Sequence, residues 1–131
     1  MQCVHQIISR RIRMILSLCG QHKPTTDQVD AGVVECKKNE ELKKLLNFKS
    51  LPTKDEIAER ARKITAIAVA EGCDTAMIGG APYLMGALEA RLKNAGIKPV
   101  YAFSERVTVE KEIDGKTVKT SIFKHLGFVK V

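Results

Sequence analysis

Tryptophan is absent from the chain, and two tyrosines and four phenylalanines bring the aromatic share to only 5%. Proteins that hold single-stranded nucleic acid stack bases on exposed rings, so this scarcity argues against binding of long nucleic acid. Cysteine is thin and scattered. Cys3, Cys19, Cys36 and Cys73 show no Cys-x-x-Cys spacing and the three histidines do not cluster. Neither a zinc site nor a disulfide framework is expected, and free thiols in a cytoplasm fit the pattern.

Other absences narrow the chemistry. No apolar run approaches the roughly 20 residues that cross a bilayer, so no contact with membrane is expected. The first thirteen residues lack both a seven-residue apolar stretch and a small-residue cleavage site, which argues against a signal peptide. There is no Gly-x-Gly-x-x-Gly fingerprint and no Walker loop, so neither a dinucleotide nor ATP is indicated, and no cofactor is expected. No carboxylate pair stands at a readable spacing, and no Ser-His-Asp order can be defended.

What the chain does have is positive charge. A formal net charge of +7 in 131 residues attracts polyanions or phosphorylated ligands. Part of the excess is local: Arg10, Arg11 and Arg13 have no acidic neighbour in the first thirteen residues. Residues 1–13 are therefore expected to form a basic extension outside the fold, with Met14 as an alternative start. Residues 14–131 suit one domain.

The rest of the chain is organised around residues 75–96. Thr75, Ala76, Met77 and Ile78 form an apolar run without alternation, the pattern of a strand covered on both faces. Gly79 and Gly80 supply a turn where backbone can approach a ligand closely. Pro82 suits a first helical position, and Leu84, Leu88, Leu92 and Ala95 keep helical spacing until Gly96. A strand that passes through two glycines into a helix aims N–H groups and the positive helix end at one spot, which favours a phosphate or carboxylate. The alternative is a tight connection in which the glycines only permit packing.

Around this unit the pattern predicts a strand at 14–18 and a polar loop carrying His22 and Lys23, with Thr25 or Thr26 capping the short segment that follows. A helix is expected at 40–48 with Asn39 as N-cap. Thr53 and Glu56 form a capping box for a helix reaching about Ala70, with Ile57, Ala61, Ile64 and Ala68 as its buried stripe and Gly72 as its stop. A third strand at 99–103 completes an order typical of a parallel sheet. Alternation at 107–113 and 117–123 about Asp114 and Gly115 predicts a C-terminal β-hairpin. The expected fold is thus α/β, a small Rossmann-like parallel sheet flanked by helices and extended by hairpin 107–123. Such a hairpin either covers an edge or pairs with a second copy, which makes a homodimer reasonable.

In open α/β sheets ligands collect beyond the carboxyl ends of the strands. Three strand ends then supply candidates: Ser17 or His22 with Lys23, the diglycine Gly79 and Gly80, and the segment Ser104, Glu105, Arg106. Arg106 either clamps a phosphate or pairs with Glu105 or Glu110 on the surface. His125 either approaches this pocket or is a structural histidine of the hairpin.

The run Ile78-Gly79-Gly80-Ala81-Pro82-Tyr83-Leu84-Met85 resembles the Gly-Gly-Thr-Lys-x-Met type motif of CRISPR-associated Rossmann-fold (CARF) domains. The loop Leu18-Cys19-Gly20-Gln21-His22-Lys23-Pro24 is similar in placement to that family's other ligand loop. Ala81 and Pro82 stand where the family motif has threonine and lysine, which removes a hydroxyl and a charge, and the hairpin has no place in the family pattern. The resemblance covers residues 14–103 and is strongest to the compact, single-domain members associated with ring nucleases. It implies a homodimer that binds a cyclic oligoadenylate across its two-fold axis and cleaves it without metal in some members, with the ligand's 2′-hydroxyl as nucleophile. Gly79, Gly80 and Ala81 would hold phosphates, Pro82 would set the helix start, and Ser17, Gly20, His22 and Lys23 would line the other side.

Three functions are therefore carried forward. The first is a dimer that binds a cyclic oligonucleotide and slowly cleaves it, with Lys23 or Arg106 stabilising phosphate charge, His22 assisting proton transfer and Ser104 lining the pocket. The second is a sensor or sequestering protein without catalysis. The third is another nucleotide- or sugar-phosphate-processing enzyme on the same fold.

Overall fold

The computed structural model describes residues 14–20 and 23–131. The expected basic extension 1–13 lies outside the described residues. Strand β1 (Ile15–Ser17) leads to the short helix α1 (Thr26–Asp30), then β2 (Val33–Glu35), helix α2 (Asn39–Leu46) and the long helix α3 (Lys54–Glu71). Strand β3 (Thr75–Met77), helix α4 (Pro82–Asn94) and the two long strands β4 (Lys98–Ile113) and β5 (Lys116–Lys130) follow. The sheet order is β2-β1-β3-β4-β5. The first four strands pair in parallel and β5 runs antiparallel to β4. The fold is α/β, with a mostly parallel sheet and a C-terminal hairpin.

Strand alternation sorts the core into two sides. Leu16, Leu18, Ala76 and Ile78 join Leu42 and Leu46 of α2, Ala61, Ile64 and Ala68 of α3, and Leu84, Leu88 and Leu92 of α4 in one buried cluster. Val33, Met77 and Val100 form a smaller cluster, against which Ile15, Cys19 and Phe128 pack. Of the helical stripes expected from spacing, Ala61, Ile64 and Ala68 on α3 and Leu84, Leu88 and Leu92 on α4 are buried, Ile57 is half-buried, and Ala95 is exposed just past the end of α4. Thr65, also on α3, returns its hydroxyl to the Ala61 carbonyl at 2.8 Å, which satisfies the one buried polar side chain of that helix.

Helix ends follow local chemistry. Thr25 caps α1 in a complete capping box with Gln28. Thr53 caps α3 by accepting from the Glu56 N–H at 3.1 Å, but the Glu56 carboxylate turns to Arg60 at 2.9 Å, so the expected box is half made. Gly72 ends α3 in the left-handed region at φ 74°. The expected N-cap Asn39 is instead the first residue of α2; Lys38 precedes it and offers no capping side chain.

Two differences from expectation change the architecture. Val33, Val34 and Glu35 form a strand ahead of the helix expected at 40–48, which itself ends at Leu46, and the spacing gave no sign of that strand. Three residues are too few to show a period, and their extended geometry comes from parallel pairing with β1. The expected strand 99–103 and the first hairpin strand are one continuous β4, and β5 runs on to Lys130. The register slips where Phe103 pairs with Gly127 and Ser104 with His125, leaving Leu126 as the extra residue of a β-bulge. Beyond the bulge, pairing continues to Ile113 with Lys116.

Candidate functional site

The strand order reverses between β1 and β3, since the chain passes from β1 outward to β2 and then returns to β3 on the other side. In open α/β sheets this switch point opens a crevice at the carboxyl ends of the two strands. Here the loops that leave them are in contact. The Leu18 N–H donates to the Met77 carbonyl at 2.8 Å, and a Cβ on Gly79 would lie 3.3 Å from Cys19 Sγ. The loop after β1 and the diglycine turn therefore meet at one edge, as expected for a shared crevice.

Leu46, the last residue of α2, sits between them. A Cβ on Gly20 would come within 2.9 Å of Leu46 Cδ1, and one on Gly80 within 3.9 Å of Leu46 Cδ2. Both glycines have positive φ, +49° at Gly20 and +147° at Gly80. Side chains are disfavoured at both positions by backbone strain, and at Gly20 by crowding as well. Gly80 is exposed, whereas Gly20 is buried.

Helix α4 begins at this edge, with Pro82 in its first turn as expected. Its N-cap is Ala81, which has no side-chain acceptor, and no acidic residue stands in its first turn. The other helices carry Asp27, Glu40 with Glu41, and Asp55 with Glu56 at the equivalent place. The positive end of α4 is thus left without a compensating charge from its own first turn.

The remaining expected site residues are distributed unevenly. Ser17 ends β1 and is buried at 4% exposure, paired with Glu35 and Met77. It lies below the rim rather than in the loop. Lys23 is exposed in the loop after β1, and His22 lies outside the described residues. Ser104, Glu105 and Arg106 are not a loop but the continuation of β4, paired with His125, Lys124 and Phe123. Arg106 places its guanidinium 5.3 Å from the Phe123 ring centroid. At roughly 3.3 Å per residue, it stands about 20 Å along the strand beyond Val100, the partner of Met77. The expected three-loop pocket is reduced to two loops and a helix end.

The structure adds a wall that spacing did not reveal. Tyr83, in the first turn of α4, meets Phe48 edge-on with ring centroids 5.1 Å apart, and the Arg60 guanidinium lies 4.1 Å from the Phe48 centroid. Tyr83 remains 52% exposed beside the diglycine turn. Phe48 and Tyr83 are 35 positions apart, and the fold brings the segment after α2 against the start of α4 to join them. His125 meets Phe128 at a tilt with ring centroids 4.7 Å apart, and both its ring nitrogens are buried without a hydrogen-bond partner among the described residues. It belongs to the root of the hairpin.

Burial pushes the Cys19 thiol up to about 11, so beside the turn it is a neutral packing group rather than a nucleophile. Among the described residues no cluster of three or more His, Cys, Asp or Glu could hold a metal ion. No described helix is long and apolar enough to cross a membrane. Two clefts of about 410 and 510 Å³ run along the outer sides of α2 and α3, lined by Lys44 and other charged side chains. Both lie away from the diglycine turn. In the larger one Arg60 is already committed to the Lys44, Leu45 and Asn47 carbonyls and to Glu56.

The model of one family, the Uncharacterized protein MJ1673 family, matches residues 14–129. No curated protein and no solved structure matches the chain.

Proposed function

The chain belongs to the MJ1673 family, and from the geometry of its switch point we propose that it binds a phosphorylated small ligand between the loop after β1 and the start of α4. The observation that carries this is the N-terminus of α4, a helix end with neither capping side chain nor first-turn carboxylate, preceded by the exposed, positive-φ Gly80. Backbone N–H groups there can approach an anion without interference from a Cβ. Lys23 on the facing loop supplies a mobile positive charge, and the exposed face of Tyr83 offers a surface on which a base stacks.

These features favour a nucleotide over an inorganic anion. The resemblance of residues 78–85 to the CARF motif narrows the class to a cyclic oligoadenylate-type second messenger shared by two copies of the chain. Binding without cleavage is the reading the geometry favours. Of the groups expected to act on the phosphate, Arg106 stands out along β4, and Ser17 is buried in the sheet. Metal-independent cleavage would rest on Lys23 and His22 alone.

The test is incubation of the purified protein with cyclic oligoadenylates of different ring size and with mononucleotides, measuring binding and analysing products, with Lys23→Ala and His22→Ala in parallel. The expected result is binding to a cyclic oligonucleotide that is recovered intact and that Lys23→Ala weakens. Linear products made by wild type and lost in His22→Ala would establish the ring nuclease instead. Absence of binding to every cyclic oligonucleotide would remove both.

A further inference from the structure

The most conspicuous unpartnered surface is the ribbon formed by β4 and β5 beyond the bulge. From Ser104 with His125 to Ile113 with Lys116 it has no further strand on either side among the described residues, and it extends about 30 Å at roughly 3.3 Å per residue. An isolated two-stranded ribbon is marginally stable in water. This one is also amphipathic. Directly paired residues share a face, so Glu105 with Lys124 at the root, then Val107 with Ile122, Val109 with Thr120, Lys111 with Val118, and Ile113 with Lys116 at the tip stand on one side, its apolar stretch running from Val107 to Ile113. The other side carries Ser104 with His125 and Arg106 with Phe123 near the root, where the arginine lies over the ring, and beyond them only polar pairs, Thr108 with Ser121, Glu110 with Lys119, and Glu112 with Thr117. On the apolar side Ile122 is 48% exposed, Ile113 54% and Val118 40%.

We infer that this β-branched face is the interface with a second copy of the chain, and that each ribbon lies across the other copy's crevice rim. Area decides the arrangement. A two-stranded face about 30 Å long and about 10 Å wide offers on the order of 300 Å². Two ribbons packed only on each other bury on the order of 600 Å² in total, half the lower limit for a specific complex. Two ribbons each laid on the partner's body bury on the order of 1,200 Å², which reaches that limit.

The rim supplies a matching apolar surface. Leu51, three residues after the Phe48 that touches Tyr83, is 95% exposed. The direction also fits. β4 is parallel to β1 and β3, so the ribbon leaves the sheet from the edge where their loops meet and extends past its own rim. A two-fold operator then places each arm on the other body in an isologous, closed dimer.

Light scattering coupled to size-exclusion chromatography, on the full chain at tens of micromolar and without ligand, tests this separately from ligand binding. Wild type is expected to be a dimer. Val107→Glu with Ile122→Glu, on the apolar face, is expected to weaken the dimer by about 100-fold or more. Leu51→Glu is expected to weaken it in the same direction, and at 95% exposure it does so without disturbing the core. Ser121→Glu on the polar face leaves the dimer intact. A wild-type monomer, or a dimer unchanged by both the ribbon and the Leu51 substitutions, overturns the proposal. A ribbon that instead captures a different protein while the chain itself stays monomeric overturns it equally.

Discussion

Gly20 and Leu46 are in such close register that a Cβ on the glycine would come within 2.9 Å of Leu46 Cδ1. The loop after β1 is thereby pressed against the end of α2, and the same leucine supports Gly80 from its other methyl. Gly20→Ala must both adopt φ +49° and displace a side chain that is 6% exposed. A loss of about 1–2 kcal/mol in urea unfolding is expected from the backbone alone. An unchanged midpoint would show that the loop is not held in this conformation.

Arg60 closes the end of α2 that forms this wall. Its guanidinium donates to the carbonyls of Lys44, Leu45 and Asn47, pairs with Glu56 at 2.9 Å and lies over Phe48. Arg60→Ala is expected to cost about 2 kcal/mol, because charged hydrogen bonds to otherwise orphaned carbonyls are lost together. Arg60→Lys is expected to recover less than half, since an ammonium cannot reproduce the planar fork. Chemical denaturation of the two variants checks the order.

Tyr101 ties β4 to α4 by donating its hydroxyl to Glu89 Oε2 at 2.6 Å. Burial, reinforced by the hydrogen bond and the negative charge of Glu89, raises its ionisation above the ordinary value of 10.0. A raised folded value means that the contribution to stability is complete below about pH 10 and is lost as pH climbs through the folded value. The phenolate absorbance of Tyr101, read as wild type minus Tyr101→Phe, is therefore expected to rise only above that pH. Tyr101→Phe should also flatten the alkaline fall in stability.

Much of this was legible in the residues themselves. Leu84, Leu88 and Leu92 announce the buried face of α4, Pro82 and Gly96 bracket it, and Asp114 with Gly115 marks the hairpin turn. The diglycine and the loop after β1 meet as their strand positions require. What sequence could not display is what pairing creates. Val33–Glu35 is a strand because β1 lies beside it, and Ser104–Arg106 is a strand because β5 returns far enough to bond it. The aromatic wall escaped for the same reason, since Phe48 lies just past the end of α2 and Tyr83 in the first turn of α4, and their contact has no period.

The most direct test of the binding site is calorimetric titration of a cyclic oligoadenylate into wild type and Gly80→Ala. A Cβ at Gly80 meets Met85 Cε no closer than 3.5 Å, so the fold has room for it even though the backbone at φ +147° resists it. The account expects wild type to bind and Gly80→Ala to bind about tenfold or more weakly, through lost close approach of the backbone to the anion. Equal affinity in the two proteins, or no heat of binding in either, would contradict it.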